Sequence, residues 1–159
     1  MFRKDLALER EPEYYMKFAL AEAQKAYDLL EVPVGAVIVR NGEIIASAFN
    51  EKESNNLCTS HAEISAIEKA SKLLNNWRLS DCDLYVTLEP CPMCAGAIIQ
   101  ARFNNVFIGA MDPVNGACGS ITNLFEMNFN YKIKYQTGIL AQESETLLKD
   151  FFKKLRESK

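Results

Sequence analysis

The residues most able to do chemistry form two short motifs, His61-x-Glu63 and Cys91-x-x-Cys94. His61 is the only histidine in the chain. Cysteines at i and i+3 of a helix share one face, so both thiols can reach a single metal ion. Two thiolates and one imidazole form a donor set of borderline softness that suits zinc. The motifs therefore predict one zinc ion per chain, bound by His61, Cys91 and Cys94.

The number of predicted ligands indicates what kind of metal site this is. Three protein ligands leave the fourth tetrahedral position to water, as in catalytic zinc sites. Two thiolates formally neutralise Zn²⁺, so the metal alone is a mild Lewis acid and a nearby proton acceptor becomes valuable. Glu63 is the candidate for that acceptor. Because residues i and i+2 of a helix point to different sides, Glu63 can approach the water only if His61 lies at the helix start.

An alternative assignment makes the metal structural. Cys58-x-x-His61 with Cys91-x-x-Cys94 would form a closed site with four ligands, and Glu63 would then be a surface carboxylate at a helix start. A chain of 159 residues, 48% of them hydrophobic, does not need a metal in order to build a core. A structural ion also gives no reason for the His-x-Glu spacing, so we favour the catalytic assignment. The cysteines outside it are expected in the core or in loops: Cys58, Cys82 and Cys118.

Periodicity and turn signals predict the elements that must position these residues. Helices are predicted over 11–30, 62–74, 91–101 and 141–156. Strands are predicted over 34–39, 43–49, 83–88, 105–110 and 132–137, with a hairpin turn at 41–42 and loops at 50–60 and 111–120. Strands alternating with helices indicate one α/β domain over residues 1–159, with a mixed sheet of about five strands covered by helices on both faces.

Composition limits the location and the partners. A chain with 25% charged residues and no apolar run near the roughly 20 residues that span a bilayer is expected to have no membrane partner. Residues 1–5 lack the apolar stretch of a signal peptide, and the odd number of cysteines, five, argues against a disulfide framework. A cytoplasmic protein is therefore expected.

Charge is distributed unevenly along the chain. The net charge of −3 argues weakly against a nucleic-acid partner, but residues 132–159 carry seven basic and four acidic side chains. This basic segment is either a solvated helix face or a small surface that contacts phosphates.

The two motifs also carry a resemblance to a known family. His61-Ala62-Glu63 with Pro90-Cys91-x-x-Cys94 resembles the H-x-E…P-C-x-x-C signature of zinc nucleobase deaminases. Within that superfamily the chain is similar to the bacterial tRNA-specific adenosine deaminases, which convert the wobble adenosine of an arginine tRNA to inosine. The closer similarity rests on segments spread along the chain: 31–36, 84–91, 94–98, 109–112, 116–120, 137–140 and 150–152.

The resemblance implies a fold, an assembly and a substrate site. It implies a cytidine-deaminase-like α/β/α sandwich in three layers and a homodimer. It also implies that Asn50 holds the flipped nucleotide and that Asp112 lies near its ribose, although either residue could equally serve as a turn residue. We expect hydrolytic deamination of a wobble adenosine in the anticodon loop of a tRNA, with a zinc-activated water and Glu63 as the proton shuttle.

The basic C-terminal helix is the expected RNA contact. Lys153 and Lys154 would contact the RNA backbone, and Phe151 or Phe152 would stack on a base. A pair of phenylalanines near the end of an amphipathic helix is also a common feature of a protein core.

The chain departs from the family pattern in two places. Residues 56–60 lack the Asp-Pro turn expected before His61, and Met111, Val114 and Asn115 stand where some relatives carry basic residues. The second departure bears on how the loop at 111–120 grips phosphate and leaves the catalytic set unchanged.

Two other functions remain open at this point. A deaminase of a free base or nucleoside, guanine or cytosine, would share the metal site and differ in the pocket. A non-catalytic RNA-binding module held together by zinc would need Cys58 as the fourth ligand. The basic C-terminal segment and the Gly-Ala-x-Gly-Ser loop favour an RNA substrate over a free base.

Overall fold

The computed structural model describes residues 10–159, so the expectation of no signal peptide at residues 1–5 lies outside the described part of the chain. In chain order the elements are α1 Pro12–Asp28, β1 Gly35–Arg40, β2 Glu43–Phe49, α2 Lys52–Asn55, α3 Ala62–Leu74, β3 Cys82–Leu88, α4 Pro92–Ala101, β4 Asn105–Ala110, a 3₁₀ helix Leu124–Glu126, β5 Lys134–Gln136 and α5 Ala141–Glu157. None of the helices formed by residues 10–159 has the length and apolar character needed to cross a membrane.

The five strands form one mixed sheet in the order β2-β1-β3-β4-β5. Strand β1 is antiparallel to both β2 and β3, whereas β3, β4 and β5 run parallel. Asn41 and Gly42 join β1 to β2 with φ angles of 51° and 79°. Two consecutive left-handed residues match the twist of a hairpin, as the Asn-Gly pair predicts.

Helices cover both faces of the sheet and give three layers. Alternate residues of each strand point to opposite faces. Val37 and Tyr85 therefore pack with α1, and Ile38 and Leu84 belong to the larger core against α3 and α4. Helix α5 lies on the α1 side and contacts β4. The predicted α/β/α sandwich is confirmed.

Helix α1 approaches the sheet closely at Gly35. A Cβ atom at this position would overlap the carbonyl oxygen of Ala19 and the backbone nitrogen of Ala23. The amide of Gly35 also donates to the Thr87 hydroxyl of β3, 3.1 Å away. The absence of a side chain at Gly35 therefore allows α1 to pack closely against the start of β1.

The predicted elements are all present, with bounds that shift by a few residues. The loop prediction for residues 50–60 is incomplete because the segment contains α2. The carboxylate of Glu31 accepts hydrogen bonds from the amides of Glu53 and Ser54, at 2.8 and 3.0 Å, and caps this short helix from a distant part of the chain. A cap supplied from outside the segment leaves no local sequence signal.

Candidate active site

The predicted metal ligands meet at the N-terminal ends of α3 and α4. His61 directly precedes α3, Cys91 directly precedes α4, and Cys94 lies in the first turn of α4. The Nδ1 atom of His61 is 3.7 Å from Sγ of Cys91 and 3.5 Å from Sγ of Cys94. All three donor atoms lie within 4.8 Å of one another. No other group of three or more His, Cys, Asp or Glu side chains converges in this way within residues 10–159.

The electrostatics of the two cysteines fit a divalent cation. Hydrogen bonds from the Cys94 thiol and from the His61 ring lower the pKa of Cys91 to about 4, against the opposing effect of burial. The hydrogen bond that Cys94 donates to Cys91, together with burial, raises the pKa of Cys94. The pKa of Cys91 therefore lies below that of a free cysteine, and the pKa of Cys94 lies above it. Two converging sulfurs and one imidazole nitrogen are a donor set that fits zinc.

Cys58 does not belong to the ligand group. Its side chain is exposed in the loop between α2 and α3, and it is absent from the converging set. The closed site with four protein ligands is therefore not formed in this structure. The other two cysteines outside the site, Cys82 and Cys118, are buried, as expected for core residues.

Glu63 lies beside the predicted metal position because His61 stands at the start of α3. The backbone of His61 is extended, with ψ at 152°, and Glu63 follows in the first helical turn. The Glu63 carboxyl is 3% exposed and lines the same cavity as His61 and Cys91. Burial raises its pKa, although its own backbone amide and the positive charge of His61 partly oppose the rise. A carboxyl that binds protons more readily than usual suits repeated proton transfer near neutral pH.

A cavity of about 610 Å³ opens above these residues. This volume is within the roughly 300–1,000 Å³ that is typical of small-molecule sites. Its walls come from the ends of β1, β2, β3 and β4, from the N-terminal ends of α3 and α4, from residues 111–115, and from α5. Apart from the predicted metal ligands, the polar and aromatic side chains that line it include Asn50, Glu63, Glu89, Asp112 and Phe152.

Asn50 and Asp112 both lie in this cavity, and both are also turn residues. Asn50 is buried, its Nδ2 donates to the carbonyl of Val32, and its Oδ1 accepts from the amide of Lys52, each at 3.2 Å. These bonds use one of the two N–H groups and one of the two lone pairs, so the amide keeps capacity for a ligand. Oδ1 of Asp112 accepts from the amides of Val114 and Asn115 at 3.0 and 3.2 Å.

The residues of the C-terminal helix differ in their surroundings. Phe151 is 4% exposed and packs edge-to-face on Tyr27, so its ring belongs to the core. Phe152 is 39% exposed and lines the cavity. Lys153 and Lys154 are both exposed, and Nζ of Lys154 lies 3.3 Å from the carboxylate of Asp150. Of the two phenylalanines, only Phe152 presents its ring to the site.

Glu89 is a site residue that the sequence reasoning did not identify. It follows β3, is 2% exposed, and its carboxylate accepts hydrogen bonds from the backbone amides of Asp112, Cys118 and Ser120. Burial by itself raises its pKa, but these bonds and one from the Ser120 hydroxyl outweigh burial and lower it. An acidic residue between a buried strand and a predicted metal motif is the signal that could have indicated it.

The layered fold and the His-Cys-Cys site with an adjacent glutamate define a hydrolytic deaminase of the α/β/α type. The MafB19-like deaminase family model matches residues 10–156. The chain belongs to this deaminase family.

Relatives within this group share most of the chain. A tRNA-specific adenosine deaminase of Bacillus subtilis is 48% identical over 148 residues, which cover 92% of both chains. One of Aquifex aeolicus is 45% identical over 147 residues, 92% of this chain and 97% of the relative. A structure from a study of A-to-I editing by tRNA:A34 deaminases superposes with a TM-score of 0.82 at 41% identity, covering 85% of this chain and 99% of the other. A guanine deaminase structure from Bacillus subtilis superposes with a TM-score of 0.63 at 34% identity, covering 93% and 95%.

Proposed function

We propose that this protein is a zinc-dependent tRNA adenosine deaminase that converts the wobble adenosine of a tRNA anticodon loop to inosine. The observation that carries the proposal is the convergence of His61, Cys91 and Cys94 beside a cavity that Glu63 lines, in a chain that is 48% identical to a tRNA-specific adenosine deaminase. The overall reaction replaces the amino group at carbon 6 of adenine with oxygen from water and releases ammonia.

The residues of the site divide the chemistry between them. A zinc ion held by His61, Cys91 and Cys94 would supply an activated water as the nucleophile. Glu63 would accept a proton from the attacking water and deliver it to ring nitrogen 1 of the adenine as the water oxygen bonds to carbon 6. It would then take the remaining proton of that oxygen and pass it to the amino group, so that the carbon–nitrogen bond breaks and ammonia leaves. Glu63 is buried, and burial raises its pKa, which favours the protonated form that would deliver the proton.

The cavity suits a nucleotide that has left its stack. An anticodon loop is single-stranded, so flipping one base out of it costs little. Asn50 and Asp112 line the cavity and would hold the flipped nucleotide, and Phe152 would offer an aromatic face. Lys153 is exposed on α5 and would contact the RNA backbone. We further infer that the tRNA is an arginine tRNA, that two copies of the chain associate, and that the enzyme acts in the cytoplasm.

Deamination of free guanine is the alternative that an observation favours, because the guanine deaminase of Bacillus subtilis has the same fold. Its identity of 34% is lower than the 48% of the tRNA-specific relative. The two activities share the metal site, so the substrate assay separates them.

The decisive experiment offers the purified, zinc-loaded protein an arginine tRNA with adenosine at the wobble position, and quantifies inosine by mass spectrometry. The same tRNA with guanosine at that position and the Glu63→Ala variant serve as controls. Inosine from the wild type alone, on the adenosine tRNA alone, supports the proposal. If ammonia forms only from free guanine, cytosine or their nucleosides, the proposed substrate is wrong.

A further inference from the structure

We infer that Glu89 is a positioning residue. It fixes the loop at 111–120, and with it Asp112, relative to α4, the helix that carries Cys94. This inference rests on the proposed function and assigns a supporting role in the same site to a second glutamate. Unlike Glu63, Glu89 transfers no proton in the proposed reaction. It acts through the backbone of the loop that would contact the substrate.

Four hydrogen bonds join the Glu89 carboxylate to the loop. Oε1 accepts from the amide of Asp112 at 2.9 Å and from the hydroxyl of Ser120. Oε2 accepts from the amides of Cys118 and Ser120, at 2.9 and 3.0 Å. Both ends of the loop are therefore tied to one side chain. Because the carboxylate is buried and charged, each of these bonds is stronger than one between neutral groups.

The loop is built around this carboxylate. The amide of Gly116 donates to the carbonyl of Asp112 at 2.9 Å, which turns the chain back towards Glu89. A Cβ atom at Gly116 would overlap the Glu89 carboxyl group, so only glycine leaves space for it. The amide of Ala117 donates to the carbonyl of Pro90 at 2.9 Å, which fixes the loop to the residue just before Cys91.

The tip of this loop is shaped by Asp112, whose Oδ1 accepts from the amides of Val114 and Asn115. Met111, Pro113, Val114 and Asn115 are exposed, although each also borders the cavity. A loop with exposed side chains and a buried hydrogen-bonded centre depends on that centre for its conformation. Glu89 also lies two residues before Cys91, so the same short segment carries a metal ligand and the support for Asp112.

Replacing Glu89 with glutamine removes part of this support without changing the shape of the side chain. A carboxylate offers acceptors on both oxygens, whereas an amide offers one oxygen and one NH₂ group. If the side-chain oxygen of glutamine still accepts from the backbone amides of Cys118 and Ser120, its NH₂ group faces the backbone N–H of Asp112. Two hydrogen-bond donors then face each other, and no bond forms between them. Asp112 loses its backbone anchor in the variant, while the metal ligands and Glu63 keep theirs.

The test compares Glu89→Gln with Asp83→Asn, an acid-to-amide change at the far end of β3, where Asp83 accepts from the side chains of Asn104 and Asn105. For each protein we would measure zinc content, thermal unfolding, and kcat and KM for inosine formation in tRNA. We expect Glu89→Gln to keep its zinc, to lower kcat/KM by about tenfold to a hundredfold, and to do so mainly through KM, because the loop contacts the substrate outside the reacting atoms. Asp83→Asn should match the wild type in zinc content, in thermal unfolding and in the kinetics of inosine formation.

A double-mutant cycle with Asp112→Ala separates positioning from general damage. If Glu89 acts through Asp112, the double variant loses little more than Asp112→Ala alone. Additive losses, a loss of zinc, or an unchanged KM in Glu89→Gln would each overturn the inference. If Glu89→Gln does not fold, Ser120→Ala removes a single donor to the same carboxylate, and its loss should also be non-additive with Asp112→Ala. A wild-type protein that forms no inosine would instead reject the proposed function.

Discussion

Nδ1 of His61 lies 3.7 Å from Sγ of Cys91 because both residues occupy the same position relative to a helix. Each is the last extended residue before its helix, with ψ angles of 152° and 173°. Helices α3 and α4 lie on one face of the sheet and begin at the same end of it. The positive N-terminal ends of their dipoles therefore converge on the predicted metal position. The same arrangement lowers the cost of the thiolates there.

Glu63→Gln is expected to abolish deamination and to leave the zinc content unchanged. The substitution keeps the size of the buried side chain but removes its ability to transfer protons, which contributes roughly a hundredfold to ten-thousandfold to the rate. Inosine formation by mass spectrometry and zinc by elemental analysis would be measured on the same preparation. Glu68→Gln, an exposed change on the same helix, is the matched control and should remain active. Substantial turnover by Glu63→Gln would exclude the proposed proton shuttle.

Cysteine substitutions should distinguish the two predicted cysteine ligands from Cys58. We expect Cys91→Ser and Cys94→Ser to lose zinc and activity, because each removes one of three donor atoms. Cys58→Ser should keep one zinc ion per chain and near-normal activity, because this exposed thiol lies outside the group. Loss of zinc in Cys58→Ser would support the structural four-ligand site instead. Elemental analysis of purified proteins checks all three.

Gly35→Ala is expected to destabilise the protein, because the new Cβ would overlap the backbone of α1 at Ala19. Overpacking of this kind costs about 1–3 kcal/mol of unfolding free energy. Gly96→Ala provides the comparison, since nothing lies within 4 Å of its Cβ position in α4. Alanine there should stabilise the helix by up to about 1 kcal/mol. Urea unfolding of the two variants measures the change in unfolding free energy caused by each substitution. Equal changes in the two variants would contradict the packing argument.

The two adjacent phenylalanines of α5 should give opposite phenotypes. Phe151→Ala empties part of the core and is expected to cost about 3–5 kcal/mol of stability. Phe152→Ala should leave the unfolding free energy nearly unchanged and raise KM for tRNA, since a ring that stacks on a base contributes about 1–3 kcal/mol to binding. Chemical unfolding and steady-state kinetics distinguish them. A normal KM in Phe152→Ala would show that this ring does not contact the substrate.

Lys153→Gln should weaken tRNA binding in a manner that depends on salt. One lost phosphate contact lowers the slope of log K against log salt concentration by about 1. Lys72→Gln, at the exposed C-terminal end of α3 and away from the cavity, should leave the slope unchanged. Binding titrations at several salt concentrations give the slopes. Equal slopes for wild type and Lys153→Gln would place the RNA elsewhere.

The candidate metal ligands, the proton-transfer candidate and most of the sheet were predicted from local sequence patterns. The combination of His61, Cys91 and Cys94 is recognisable because metal binding would restrict the choice of side chains and, on a helix, their spacing. The strands and the hairpin at Asn41 follow from local periodicity and local turn chemistry, which depend on neighbouring residues alone.

The residues that support the site become visible only once the chain has folded. Glu31 caps a helix that begins more than twenty residues later, and Glu89 binds a loop that begins twenty-two residues after it. Such hydrogen bonds depend on chain segments that meet after folding, so neither partner leaves a local pattern. The separation of Phe151 from Phe152 has the same origin, because two identical neighbours on a helix differ only in what packs against each face.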